Sequence, residues 1–201
     1  MKAYASILAA ALLLAACSTQ SPNVREAQAL YNAGQYEKAI PLFLQEAYMG
    51  NSEAQLMLAK CCDFGHGVPQ DTTKAAQWYR KAAENGNANA QNNLGGCYFD
   101  GAGVPKDYET AFYWYNRAAQ QGNASALNNV GLCYRNGEGV PQDAVKSAEA
   151  FEKSAKGGNA NCYFHGLGVP QDLLKAREWI TKAAQAGHKN AAAFMGDQGW
   201  N

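Results

Sequence analysis

Between Ala90 and Tyr98 the apolar positions are Ala90, Leu94, Cys97 and Tyr98, and they recur 36 residues later as Ala126, Val130, Cys133 and Tyr134. Offsets of i, i+4, i+7 and i+8 mark a single stripe along an α-helix. A second stripe follows each of these. Ala75, Trp78, Tyr79, Ala82 and Ala83 return as Ala111, Trp114, Tyr115, Ala118 and Ala119, then as Ala176, Trp179, Ile180, Ala183 and Ala184. One copy keeps the period with smaller or more polar residues, at Ser147, Ala150, Phe151, Ser154 and Ala155. The pattern predicts pairs of helices, with Trp78, Trp114 and Trp179 packed into the core rather than forming a ligand cage.

The segment between the two helices of each pair is also repeated. Gly-x-Gly-Val-Pro-x-Asp occurs at 65–71, 101–107, 137–143 and 166–172, spacings of 36, 36 and 29. Gly65, Gly101, Gly137 and Gly166 suit the left-handed end of a helix, the proline fixes the turn, and Asp71, Asp107, Asp143 and Asp172 suit the N-cap of the next helix. Gly50, Gly86, Gly122, Gly158 and Gly187 end the second helices, and Asn51, Asn87, Asn123 and Asn159 cap the units that follow. Lys81, Arg117, Lys153 and Lys182 fall in the last turn, where positive charge complements the helix dipole. Lys74, Lys146 and Lys175 lie at the opposite end, where the pattern gives no reason for them beyond solvation.

Repeats at a fixed period of this length define a solenoid. The expected units are about 24–50, 51–86, 87–122, 123–158 and a shortened 159–187, closed by a capping helix over 188–201. In the first unit Ala27, Leu30, Tyr31, Gly34, Tyr36 and Ala39 read as a hairpin with a shorter loop, and Pro41 is expected to kink its second helix. Aligning Cys162 with Cys133 leaves Ser125 to Gly131 without counterparts in the fourth loop-bearing unit. Seven residues are close to two helical turns, so Cys162 and Tyr163 still point to the core.

The four loops, the Leu-Gly-x-Cys-Tyr helix and the Lys-Ala-Ala-x-x-Gly ending resemble Sel1-like repeats, longer-loop relatives of tetratricopeptide repeats. The resemblance implies an all-α, right-handed superhelical solenoid of antiparallel helix pairs. It also implies a non-enzymatic adaptor that holds a protein or peptide partner.

At the N-terminus, Met1-Lys2 and the apolar run Ala3 to Ala16 form a secretory signal, too short to cross a bilayer as a permanent helix. Leu14-Ala15-Ala16-Cys17 resembles a bacterial lipobox, which implies cleavage before Cys17 and its lipidation; an ordinary signal peptide with a chance cysteine is the alternative. Residues 17–23 then serve as a tether. Ser18, rather than Asp, resembles the signal for the Gram-negative outer membrane, so the expected location is the cell envelope, lipid-anchored and facing the periplasm.

Seventeen basic residues balance 17 acidic ones, and no basic run offers the face that nucleic-acid binding requires. Neither a metal nor a cofactor is expected. His66, His165 and His188 are scattered, and His-x-x-x-His and Cys-x-x-Cys are both missing. Some relatives are described as β-lactamase-like, yet Ser-x-x-Lys and Lys-Thr-Gly are absent here, and no small-molecule substrate is expected. An envelope enzyme and an exported inhibitory module stay open as rival readings. Cys61, Cys97, Cys133 and Cys162 hold equivalent places, unlike the cysteine-rich exported relatives with a disulfide inside each repeat. They read as small buried core residues, with a vicinal Cys61-Cys62 disulfide as the alternative.

By analogy with tetratricopeptide repeats, first-helix positions not used for packing line a concave partner-binding face. These are Glu53, Leu56, Lys60, Asp63 and Phe64; Asn89, Asn92, Gly96, Phe99 and Asp100; Ser125, Asn128, Leu132, Arg135 and Asn136; and Asn161, Phe164 and His165. Asn92 and Asn128 are expected to stack and bond a peptide backbone, with Phe64, Phe99 and Phe164 offering apolar pockets. The alternative is that the asparagines are solvated and the rings half-packed.

Overall fold

The computed structural model describes residues 21–167 and 170–185, without the side chains of Asn161, Phe164, Ala183 and Ala184. The signal segment 1–16, Cys17 and the capping helix expected over 188–201 lie outside the described residues. The described residues form helices joined by short loops: α1 (Pro22–Asn32), α2 (Tyr36–Tyr48), α3 (Ser52–Phe64), α4 (Thr72–Glu84), α5 (Ala88–Asp100), α6 (Tyr108–Gln120), α7 (Ala124–Asn136), α8 (Ala144–Lys156), α9 (Ala160–His165) and α10 (Leu173–Gln185). Each packs on its neighbours in sequence, α1 with α2, α3 with α4 and onward, so the chain is an all-helical repeat solenoid. α2 runs unbroken through Pro41.

The loops at 65–71, 101–107 and 137–143 are built the same way. Gly65, Gly101 and Gly137 end their helices at φ 71°, 78° and 75°. Two backbone hydrogen bonds then pin the loop to the helix it leaves, as His66 N and Asp71 N donate to the Cys61 and Cys62 carbonyls. Ala102 and Asp107, Glu138 and Asp143, and Leu167 and Asp172 repeat this on the Cys and Tyr carbonyls of their own units. The shortened α9 therefore launches the same loop as its longer counterparts.

The second glycine of each loop answers to a different demand. At Gly103 (φ 72°) a Cβ would lie 2.1 Å from the carbonyl oxygen of Thr72, and at Gly139 (φ 72°) 2.0 Å from that of Tyr108. Thr72 and Tyr108 open the second helices of the preceding units, so each loop rests directly on the unit before it.

Asp71, Asp107 and Asp143 cap their helices through backbone amides, and Asn51, Asn87 and Asn123 do the same for α3, α5 and α7. The three lysines without a sequence rationale have a place here. Lys74, Lys146 and Lys175 sit 3.2, 3.2 and 3.7 Å from the capping carboxylates of Asp71, Asp143 and Asp172. Lys146 and Lys175 also lie 5.5 Å above the rings of Tyr134 and Tyr163. The backbone amides of Lys74 and Lys146 first, and then their ammonium groups, hold the Asp71 and Asp143 carboxyls below the usual carboxylate range.

The aromatic core differs from expectation by one residue. Tyr79, Tyr115 and Phe151 are buried, whereas Trp78 and Trp114 are half-buried at the margin. Lys81 lies 4.3 Å above the Trp78 ring and Arg117 5.4 Å above Trp114. Adjacent helix positions are turned about 100° apart, so one stripe holds both rings but only one reaches its centre. Gly95 and Gly131 make room for it, since a Cβ there would meet the Tyr115 and Phe151 rings at 2.6 and 2.8 Å.

Amides join unit to unit. Asn85 donates to Gln55 (2.9 Å), whose own amide donates to the Ala47 carbonyl (3.0 Å); Gln121 and Gln91 repeat this to Ala83 (2.7 and 3.0 Å). Leu127 takes the equivalent place in α7, and there the Ser154 hydroxyl donates to the Ala124 carbonyl at 2.6 Å and accepts from Asn159 at 3.0 Å.

Cys61, Cys62, Cys97, Cys133 and Cys162 are free thiols, and the Cys61-Cys62 disulfide does not form. Cys162 is fully buried despite the two missing turns. Burial pushes the Cys61, Cys97 and Cys133 thiols up to about 11.

Two outcomes follow for stability and thiol chemistry. Gly139→Ala combines a left-handed Cβ penalty with a backbone clash and is expected to cost about 2 to 5 kcal/mol. Gly122→Ala, at φ 82° with open space around it, should cost only about 1 to 2 kcal/mol. Thermal melts of the two variants check this ordering. Because raised thiols are protonated at pH 8, iodoacetamide should label Cys97 in the folded protein about 100-fold more slowly than in urea, as read by mass spectrometry.

Candidate functional site

First helices of successive units place their outward turns side by side, and between them runs a groove of about 480 Å³. Its walls are Lys60, Asp63 and Phe64 of α3, Asn92, Asn93, Gly96, Cys97 and Asp100 of α5, and Asn129 of α7, with Tyr79, Tyr115 and Ala102 behind. Asn129 donates to the Asn92 side-chain oxygen at 3.0 Å, so the two amides are held at fixed spacing across the unit boundary. Phe64 stands 61% exposed at the mouth. The Tyr79 hydroxyl donates to Asp63 at 3.0 Å. Burial first, then the Asp63 and Asp100 carboxylates, raise the Cys97 thiol between them. Burial, with Asp63 for Tyr79 and Cys133 and Asp100 for Tyr115, keeps both phenols protonated. The thiol and phenols at neutral pH are therefore donors rather than nucleophiles.

Of the residues expected on this face, Lys60, Asp63, Phe64, Asn92, Gly96 and Asp100 meet in the groove. Others are used elsewhere. Leu56 is buried, because it belongs to the packed stripe of α3. Asn123 donates to Asn89 at 2.9 Å, and Asn87 to Glu53 at 3.2 Å, so Asn89 and Glu53 join capping asparagines between units. Asn128 does not stack on Asn92; it faces the Cys162 sulfur at 3.8 Å, and its neighbour Asn129 takes the groove position.

Phe99 is half-packed rather than an open pocket, with its ring 5.1 Å from Tyr108 and 6.5 Å from Tyr115. Asp63 and Arg135 hold the equivalent place, one bonded to Tyr79 and the other 5.9 Å above Phe151, so this position braces the core ring of its own unit. Asn136 donates to Glu138 at 3.0 Å. His165 is exposed at the end of α9, and the side chain of Phe164 lies outside the described residues.

Asn93, Asn129, Cys97, Tyr79, Tyr115 and Ala102 were not anticipated in the groove. The doubled asparagines, Asn92-Asn93 and Asn128-Asn129, were the available signal: neighbouring positions turned by about 100° leave either free to face it. Among the described residues no group of three His, Cys, Asp or Glu side chains is placed to hold a metal ion.

The family model for the Sel1 repeat matches residues 52–87, 88–123, 124–159 and 160–188. The crystal structure of a Sel1 repeat protein from Oxalobacter formigenes is 31% identical, with a TM-score of 0.66 over 84% of this chain and 72% of that one. A protective antigen of uropathogenic Escherichia coli strains, which displays an SLR fold, is 34% identical with a TM-score of 0.60 over 82% of this chain. The chain spans 38% of that antigen's length. Helicobacter pylori cysteine rich protein B shares the fold at 23% identity and a TM-score of 0.50, over 62% of this chain and 89% of that one. The chain belongs to the Sel1 repeat family, whose members are helical repeat scaffolds generally used for protein interaction.

Proposed function

We propose that this protein is a non-enzymatic, lipid-anchored scaffold of the bacterial envelope that holds an extended segment of a partner protein in the groove of α3, α5 and α7. The observation that carries the reading is the bonded pair Asn129 and Asn92, fixed across two units beside Asn93. Side-chain amides offer both donor and acceptor, which suits a peptide backbone whatever its sequence. Lys60, Asp63 and Asp100 add charges of both signs around it, and Phe64 gives an exposed apolar surface to cover. The anchor rests on Leu14-Ala15-Ala16-Cys17. Among the described residues no helix is long and apolar enough to cross a membrane.

Two measurements check the proposal. A photo-crosslinking residue at Phe64 should yield a defined protein adduct in membranes, while the same residue at Glu84 on a second helix should not. Asn92→Ala with Asn129→Ala should lower that adduct at least tenfold and shift the melting temperature by only about 2 to 4 °C, the cost of one partly exposed hydrogen bond. Equal adducts at both positions, or no effect of the double substitution, would refute groove binding. Separately, Cys17→Ser should release the chain to the soluble fraction and abolish labelling by a fatty-acid analogue; retained labelling refutes the anchor.

A further inference from the structure

Three second helices seal their outer margin with an indole. Trp78, Trp114 and Trp179 hold equivalent positions, and each carries a cation three residues on, Lys81, Arg117 and Lys182, at 4.3, 5.4 and 4.5 Å from its ring. The Trp114 ring packs against a core that includes Ala83, Ala90 and Leu94. It thus fills the seam between its own unit and the one before.

In α8 the equivalent residue is Ala150, and the seam is open. Counting on by one repeat turns Ala83 and Leu94 into Ala119 and Val130, and both line a cavity of about 340 Å³ floored also by Leu127, Tyr134 and Ala150. That volume lies within the ~300 to 1,000 Å³ range of preformed ligand sites. The seam cannot simply close, because Gly139 already holds its loop in contact with the Tyr108 carbonyl of the preceding unit. Lys153 stands on the rim where Lys81, Arg117 and Lys182 stand over their rings, and among the described residues no ring lies above it. Lys146 lies on the same rim.

We propose that this slot is a binding site for an aromatic side chain, an indole above all, presented by a partner protein. The slot shares no residue with the α3/α5/α7 groove, and its function does not depend on that groove. Charge complementarity selects the occupant. The ammonium group of Lys153 meets the negative face of a π system, while the apolar floor buries its carbon skeleton and Lys146 stays paired with Asp143 over the Tyr134 ring. Glu149 and Asn116 at the edge offer acceptors for an indole N–H.

The test is a titration of the ¹⁵N-labelled full chain with N-acetyl-tryptophanamide, with N-acetyl-leucinamide as the non-aromatic control. The tryptophan derivative should give saturable amide shifts at Leu127, Val130 and Ala150, and the leucine derivative should bind at least tenfold more weakly. Ala150→Trp should abolish the shifts and raise the melting temperature by a few degrees. If that variant does not fold, Lys153→Ala serves instead, with binding expected to weaken roughly two- to fivefold. Equal response to the two derivatives, shifts scattered away from the slot, or unchanged binding in the folded Ala150→Trp protein would overturn the proposal. So would a slot that accepts the probe only after Trp200→Ala, since the chain's own tail would then be its occupant.

Discussion

At Gly103 and Gly139 a carbonyl oxygen at the start of one unit's second helix rests against the second loop glycine of the next unit, too close for any side chain to intervene. This contact fixes the offset between units, because both partners are backbone and neither can change rotamer. The loop reaches it only because the glycine before it turns left-handed and two hydrogen bonds return to the Cys and Tyr carbonyls. The remaining features follow from that offset. Gln55 and Gln91 lie where their amides can bond the Ala47 and Ala83 carbonyls of the preceding unit, and the Tyr115 and Phe151 rings lie over Gly95 and Gly131, which are small enough to admit them. Asn129 can bond Asn92 because the units stand at one fixed spacing.

The same constraint separates the two surfaces. First helices present polar amides and charges that are already partly satisfied by one another, so the groove is an ordered hydrogen-bonding surface. Second helices present aromatic rings beneath cations at the seams. In α8 the fixed spacing continues although the ring does not, and a rigid seam without its filler is a cavity rather than a collapse.

The helix pairs, their caps and the loops were legible in the sequence because each depends on local chemistry repeated several times: an αL glycine, a capping Asp or Asn, a stripe of apolar positions. What was not legible depends on rotation and on neighbours. Trp114 and Tyr115 share a stripe, and only packing decides that the tyrosine takes the centre. Asn128 and Asn129 are chemically identical, and the choice between them rests on the crossing of α5 and α7 and on the buried sulfur of Cys162. The pairing of Lys74, Lys146 and Lys175 with capping aspartates was present as a three-residue spacing, but its meaning needed the helix start to be placed.

The six-residue helix α9 shows what the fold can lose. It keeps its buried cysteine, its tyrosine and the two carbonyls that hold the following loop, although it is two turns shorter than α7. Removing about seven residues turns the helix through nearly two whole revolutions, so everything downstream returns to the same bearing. A single-residue deletion in the same place would swing the loop by about 100° and lift it off its neighbour. In this architecture, insertions and deletions are therefore tolerated by the turn and not by the residue, and the length of a unit can drift only in steps.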